Sequence, residues 1–348
     1  MTFRQLMARH ETIPAVTSWY LADLGEARGK QELFTRQSPQ RLKILREYAL
    51  IESAVSSNRI EGVEIDKSRV GTIIFGKPIL RDRNEEEVRG YREALKIIHE
   101  SGAELALSEK TIMELHRRAR GNIGDAGKFK EKNGDIIERY PDGRSRIRFK
   151  PISAAKTRAA IRELLELWSL SLEERRIHPL IALAAFNLDF LCVHPFRDGN
   201  GRVSRLLLLL QCYHLGYEVG RYISLERLVE QNKERYYETL ELSSRGWHDG
   251  KHNPWHYINY VLFILKTAYG EFEKRLERSP SARGDKAKMA VSAVERASGE
   301  FSVAEICKQC PAVSIHMIRK VLKSLKADGK IKCLGRGQSA RWRKTGRL

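Results

Sequence analysis

Five cysteines in 348 residues are too few, and odd in number, to frame a disulfide-stapled fold. A reducing, cytoplasmic setting is expected. Long apolar runs are also missing. The longest, such as 180–186 and 206–210, fall far short of the roughly 20 residues a helix needs to cross a bilayer, so no membrane association is expected. The opening MTFRQLMARHETIP lacks the apolar stretch of a secretion signal. There are no internal repeats and no low-complexity tracts. With 42% hydrophobic and 31% charged residues, wholesale disorder is excluded. The length allows two or three domains with a real core.

What the chain has in excess is positive charge, +19 in all. The last 68 residues carry 16 basic and 5 acidic side chains, a net +11. Charge concentrated at one end points to a polyanionic partner for that end, most simply nucleic acid.

Most of the chain reads as helix. Residues 39–61 set Leu42, Ile44, Leu45, Tyr48, Ile51, Val55 and Ile60 at spacings of mostly three and four, and Gly62 stops the run. Further helices are expected over 84–101, 108–120 (opened by Ser108, closed by Gly121), 153–172, 224–243 and 255–277. Residues 136–140 and 144–149 flank Tyr140-Pro141-Asp142-Gly143, the signal for a small hairpin. Pro179 opens LIALAAFNLDFLCV, apolar almost all round and so expected to be a buried central helix. VSRLLLLLQCYHLG is a second very apolar helix, stopped by Gly216. Residues 278–285 read as a linker. Beyond it three helices are expected over 286–297, 302–309 and 314–328, then two short strands around Gly335-Arg336-Gly337.

Between the two apolar helices lies His194-Pro195-Phe196-Arg197-Asp198-Gly199-Asn200-Gly201-Arg202-Val203-Ser204-Arg205. Gly-Asn-Gly before a helix lets backbone N–H groups converge on an anion at the positive end of the helix dipole. Arg202 and Arg205, three apart, can face that anion with forked donors. Asp198 is a hard oxygen ligand suited to Mg2+ on phosphate oxygens. His194 titrates near neutrality and can accept a proton from a hydroxyl. Together these describe phosphoryl or nucleotidyl transfer.

The segment resembles the signature of the Fic family, His-x-Phe-x-Asp/Glu-Gly-Asn-Gly-Arg-x-x-Arg, at every specified position from His194 to Arg205. The resemblance extends over about 106–270, with 131–149 in the place of the family's flap hairpin. It implies an all-α Fic core with a small β-hairpin flap, and protein adenylylation: AMP passes from ATP to a Ser, Thr or Tyr hydroxyl of a target protein, and pyrophosphate leaves. On the same resemblance His194 is the base. Asp198 holds Mg2+. Gly199, Asn200 and Gly201 form the anion hole, Arg202 and Arg205 hold the outer phosphates, and Phe196 pins the loop from the core. Gly201 stands where the family's kinase-like branch has lysine. The flap would bind the target's backbone as an added strand. Tyr236 or Tyr237 matches the aromatic that meets adenine, with core packing expected for at least one of them.

Upstream, Ser57, Glu61 and Gly62 resemble the family's inhibitory signature, Ser/Thr-x-x-x-Glu-Gly/Asn. The resemblance implies that Glu61 pairs with Arg205 and competes with the outer phosphate for one guanidinium. Some members use the same glutamate to place a water and remove AMP, so the direction of transfer stays open.

The basic tail resembles a winged helix-turn-helix, with a core of Phe301, Val303, Ile306, Val313, Ile318, Val321, Leu322 and Leu325. Ser314, His316, Arg319, Lys320 and Lys323 would lie on its reading helix. Arg336, Arg341 and Arg343 on the wing would touch phosphates. A single Cys307-x-x-Cys310, even with His316 or Cys333, is not read as a zinc site. The division expected is 1–105, a helical region carrying the inhibitory helix; 106–280, the Fic core and the helices after it; and 286–345, the winged helix. The expected partners are protein hydroxyl groups, DNA through 286–345, and, by analogy only, a second copy of the chain. A rival from another class is an ATP-sensing, DNA-binding transcriptional regulator with little transfer activity.

Overall fold

The structure is a computed structural model that describes all residues except 9–11, 38, 77, 122–123, 140–141, 278–281, 298, 336, 338–339 and 346–348. Among the described residues there are fifteen α-helices and five short strands, which bears out the expected all-α class with a small hairpin. The helices before the hairpin are α1 (Thr2–Ala8), α2 (Ala15–Gln37), α3 (Pro39–Ile60), α4 (Val70–Phe75), α5 (Arg83–Ser101) and α6 (Glu109–Arg120). The hairpin is β1 (Ile136–Arg139) and β2 (Ser145–Phe149). After it come α7 (Ala154–Glu174), α8 (Pro179–Val193), α9 (Asn200–His214), α10 (Leu225–Gln231), α11 (Lys233–Ser244) and α12 (Trp255–Glu277). The tail holds α13 (Ala282–Arg296), β3 (Glu300–Ser302), α14 (Val303–Gln309), α15 (Ile315–Ala327), β4 (Ile331–Cys333) and β5 (Arg341–Lys344).

The apolar sequence of α8 has the expected consequence: it is sheathed by α1, α7, α9, α11 and α12, and nearly every side chain from Leu180 to Val193 is buried. Its two polar residues are fully used. Asn187 donates to the Ser204 carbonyl at 2.7 Å and accepts from the Tyr257 hydroxyl at 2.6 Å, tying α8 to α9 and α12. Asp189 accepts the Thr2 and Phe3 amides at the start of α1 and the Trp247 indole N–H. A carboxylate on a helix N-terminus is the favoured sign. Burial nevertheless raises Asp189 above the ordinary carboxylate range.

Helix α6 begins and ends where the sequence says. Ser108 accepts the Thr111 amide, and Gly121 stops the helix with φ +66°. Helix α3 ends in a Schellman turn: the Gly62 amide meets the Arg59 carbonyl, the Val63 amide meets the Asn58 carbonyl, and Gly62 has φ +82°. Gly62 is therefore a helix stop directly behind Glu61.

In the hairpin Ile137 pairs with Ile147 and Glu138 with Arg146, with a register shift at Ile136/Ile137. The expected turn residues Tyr140 and Pro141 lie outside the described residues. So does 278–281, half of the expected linker; the other half, 282–285, is already helix.

The tail has its own apolar core, in which Phe301, Ile306, Val313, Ile318, Val321, Leu322 and Leu325 are buried as expected and Val303 is partly buried. Its sheet has three strands rather than two, in the order β3-β5-β4, all antiparallel. The third, β3, is too short to show in a pattern, and its partner lies forty residues away. Arg341 and Arg343 are not the free wing cations the sequence suggested, because Glu300 faces both across the sheet and Glu305 lies near Arg341. Arg336 lies outside the described residues.

The tail core reaches into the rest of the chain. Ile44 of α3 belongs to it, and Tyr48 packs against it. Ala312 donates its amide to Glu47, and Gln309 donates to the Ser68 carbonyl. A Cβ on Gly71 of α4 would stand 2.6–2.7 Å from Gln309 atoms, its backbone Cα included. Gly71→Ala should therefore cost about 1–3 kcal/mol of unfolding free energy, measured in urea, because the backbones must separate. A neutral substitution would mean that α4 and α14 do not pack this closely.

Candidate active site

The turn joining α8 to α9 is held by its own polar atoms. Helix α8 ends at His194, which takes the left-handed conformation (φ 51°, ψ 61°) while its amide donates to the Phe190 carbonyl. A non-glycine residue there is uncommon and needs support from its surroundings. Asn200 staples the loop from inside: its side chain accepts the Phe196 amide at 2.9 Å and donates to the Phe196 carbonyl at 2.8 Å. That commits its oxygen and one of its two N–H donors. Phe196 is buried and stacks face to face on His116, ring centroids 3.7 Å apart. His116 accepts the Gly127 amide at Nδ1, so Nε2 carries the proton and donates to the Asp198 carbonyl at 3.0 Å. Burial holds His116 down at about 4, which keeps it neutral.

The charges around the loop are paired. Arg202 is almost fully buried and meets Glu87 of α5 at 2.8 Å and Asn58 of α3 at 3.3 Å. Glu87, equally buried, also takes Arg120 of α6 and Arg83 at 3.0 Å each. Asp198 is half-exposed and accepts Arg120 at 2.7 Å and the Gly199 amide at 2.6 Å, with Arg83 at 3.4 Å. Burial alone would raise Asp198, but Arg120 and Arg202 outweigh it and hold the carboxyl below its ordinary range. Arg202 and Asp198 were legible in the sequence. Asn58, Glu87, Arg120 and His116 were not, since nothing local marks a partner dozens of residues away.

Arg205 lies against the end of α3. Its Nε donates to the Ser57 hydroxyl and its Nη2 to the Ser57 carbonyl, both at 2.9 Å, and Nη2 meets Glu61 Oε1 at 2.8 Å. Nη1 is buried with no hydrogen-bond partner among the described residues. Glu61 reaches across to the start of α9, where a Cβ on Gly201 would stand 2.3 Å from Glu61 Oε1. A carboxylate oxygen thus rests on the glycine expected in the anion nest.

Beside this pair is a cavity of about 420 Å³, within the usual range for small-molecule sites. Glu61, His194 and Gly201 stand at one end. Tyr236, Tyr237, Leu188, Leu191, Cys192 and Leu240 form the apolar wall, and the hairpin residues Ile136, Ile137 and Phe149 form the roof. The roof is fastened to α11: Arg146 meets Glu241 at 2.9 Å, and Arg148 donates to the Tyr237 carbonyl and lies over its ring. Tyr236 touches the cavity but is 96% buried, packed among Tyr237, Tyr257 and Tyr260 with its hydroxyl beside Ser204 and Arg205. Most of that residue is core.

His194 lines the cavity with its Nδ1 3.2 Å from the Leu191 carbonyl. Burial, with Lys130 nearby, lowers it to about 4. Its ring should therefore remain neutral through pH 6, and NMR titration of the labelled ring should inflect near 4; an inflection at 6.5 would contradict this environment. Since the folded value lies below the unfolded one, His194 removes stability as pH falls from about 6.5 toward 4. Replacing Glu87 by Ala strands Arg202 and should cost about 3–5 kcal/mol in urea unfolding. A loss below about 1 kcal/mol would mean that Arg202 finds another partner.

Comparison with known proteins agrees with this geometry. Residues 106–212 match the Fic/DOC family profile. The protein adenylyltransferase Fic of Drosophila persimilis is 25% identical over 216 residues, covering 60% of this chain and 39% of that protein. Its Drosophila melanogaster counterpart is 28% identical over 163 residues, 46% of this chain and 30% of that one. The chain therefore spans less than half the length of these relatives. Among solved structures, a Fic family protein from Desulfovibrio desulfuricans superposes with a TM-score of 0.61 at 22% identity, covering 97% of this chain and 98% of that one. Fic-1 from C. elegans gives 0.58 at 20% identity over 76% and 75%. Residues 106–212 thus resemble a Fic domain, and the chain resembles protein adenylyltransferases.

Proposed function

We propose that this protein is an adenylyltransferase that moves AMP from ATP to hydroxyl side chains of proteins, itself included, and that Glu61 holds it back. The observation that carries the reading is the Glu61 carboxylate seated on Arg205 and against Gly201, at the end of a cavity that His194 also lines. An anion fills the place where an outer phosphate would bind.

In this reading adenine and ribose occupy the cavity beneath the hairpin, with Tyr237 and the edge of Tyr236 in the wall. The amides of Gly199, Asn200 and Gly201 at the start of α9 face the phosphates, and Arg202 and Arg205 supply fixed positive charge. A target hydroxyl attacks the α-phosphorus while His194, neutral at physiological pH, accepts its proton. The bond from the α-phosphorus to the bridging oxygen breaks, pyrophosphate departs, and AMP remains as a phosphodiester on the target. Asp198 suits Mg2+: it is one half-exposed carboxylate beside the nest, and Mg2+ takes one or two carboxylates with phosphates and water completing the octahedron. Bound there, Mg2+ would neutralise charge on the α- and β-phosphates. Glu61 excludes the outer phosphate from Arg205, so ATP lies in an unproductive pose until the carboxylate leaves.

For the tail we propose a winged helix that contacts duplex DNA. Support comes from Arg319, Lys320, Lys323 and Lys326 of α15, all exposed and, unlike Arg341 and Arg343, facing no acidic partner among the described residues. Binding of a labelled duplex by the full chain should weaken steeply with salt, and Arg319→Ala/Lys323→Ala should flatten that slope by about two. Binding that ignores salt would remove this reading.

The main test uses labelled ATP and the full chain. Glu61→Gly should raise self-adenylylation by about tenfold or more, the scale of removing a competing charge-assisted pair worth about 1.5–3 kcal/mol. His194→Ala added to it should abolish the label. A Glu61→Gly protein no more active than its parent would show that Glu61 is not the brake.

A further inference from the structure

One buried cation takes no part in the scheme above. Lys130 sits on the stretch between α6 and the hairpin, only 9% exposed. Its side chain makes no ion pair among the described residues. Instead Nζ donates to two successive carbonyls at the end of α8, Val193 at 3.0 Å and His194 at 2.8 Å. The Lys130 backbone amide donates to the next carbonyl, Pro195, at 2.8 Å. One residue thus covers three consecutive carbonyls across the point where the chain turns out of its helix.

This arrangement answers two needs. The last carbonyls of α8 have no partners within the helix, and a cation is the favoured charge there. The left-handed turn at His194 is costly for a residue with a side chain and must be held from outside. A Lys that served packing alone would run its stem over apolar surface and release its ammonium to water. Here the ammonium is carried inward to the carbonyl of the residue whose ring lines the cavity.

We propose that Lys130 is a positioning residue for His194: it locks the backbone turn that aims the imidazole into the cavity and keeps a positive charge beside the ring. The inference rests on His194 being the proton acceptor of the proposed reaction. The other charged groups that reach the ring are Glu61 at the end of α3 and Asp198 in the loop. Glu138, Arg148 and Glu241 stand further along the cavity wall. Of the three nearest, Lys130 alone favours the neutral imidazole, and Glu61 and Asp198 oppose it. Burial brings Lys130 itself down to about 8, so the charge is present through neutral pH and declines above it.

The experiment compares Lys130→Met and Lys130→Arg in the full-length Glu61→Gly protein. Lys130→Met should lower kcat for self-adenylylation by about 10- to 100-fold, the scale of a misplaced catalytic group, with KM for ATP little changed. NMR titration of the labelled His194 ring without nucleotide should inflect about half a pH unit or more higher once the neighbouring charge is gone. Lys130→Arg, which keeps charge and donors, should restore both. If Lys130→Met leaves the inflection in place, or Lys130→Arg behaves as Met does, the proposal is wrong. The titration needs no turnover. A Glu61→Gly parent that makes no AMP adduct therefore refutes the adenylylation reading, whereas an active parent with an unmoved titration refutes the role of Lys130.

Discussion

A guanidinium carried into the interior has to be met by acceptors already in place, because desolvating it costs several kcal/mol. Arg205 is met by the C-terminal turn of α3, with Ser57 supplying a hydroxyl and a carbonyl and Glu61 a charge. This contact joins the C-terminal turn of α3 to α9. Among the described residues Nη1 is left without a hydrogen-bond partner. A phosphate carries more charge and more acceptor oxygens than a carboxylate. In the proposed reading an outer phosphate takes the place of Glu61 on this guanidinium.

Around this contact the loop is built from both sides. From within, Asn200 closes it on Phe196. From without, His116 holds the Asp198 carbonyl and Lys130 the carbonyls of residues 193 and 194. Glu87 meets both Arg202 and Arg120, which fixes the orientation of the two cations. Preorganised charge is worth most in a dry site, and the apolar packing of α8 and α9 keeps water from the back of this one. The same α3 that leads into Glu61 places Ile44 in the apolar core of the tail and packs Tyr48 against it. The tail core and the Glu61–Arg205 pair thus both adjoin α3.

Much of this was legible in the residues. The apolar strings of α8 and α9, the polar turn between them and the cap residues of α6 have local causes, and local causes leave local patterns. The pairing of Glu61 with Arg205 was reachable only through resemblance to a family, since 144 residues separate the two. Glu87 shows why the rest stayed hidden: in the sequence it is one of three consecutive glutamates, and only the fold buries two of them, Glu85 against Arg69 and Glu87 among Arg83, Arg120 and Arg202. The carbonyls that Lys130 holds lie 63 and 64 residues away along the chain. Tyr236 has the right residue type, yet its tyrosine neighbours take most of its surface. Strand β3 and helix α4 are too short for periodicity to reveal, and both are stabilised by partners remote in sequence.

The central claim is that one carboxylate and one phosphate compete for Arg205. Crystal structures with bound ATP, of the parent and of Glu61→Gly, test it most directly. The account predicts that Arg205 holds the outermost phosphate in the variant, whereas in the parent it stays on Glu61 and the triphosphate tail is displaced. A parent complex in which that phosphate sits on Arg205 with the Glu61 contact intact would contradict it.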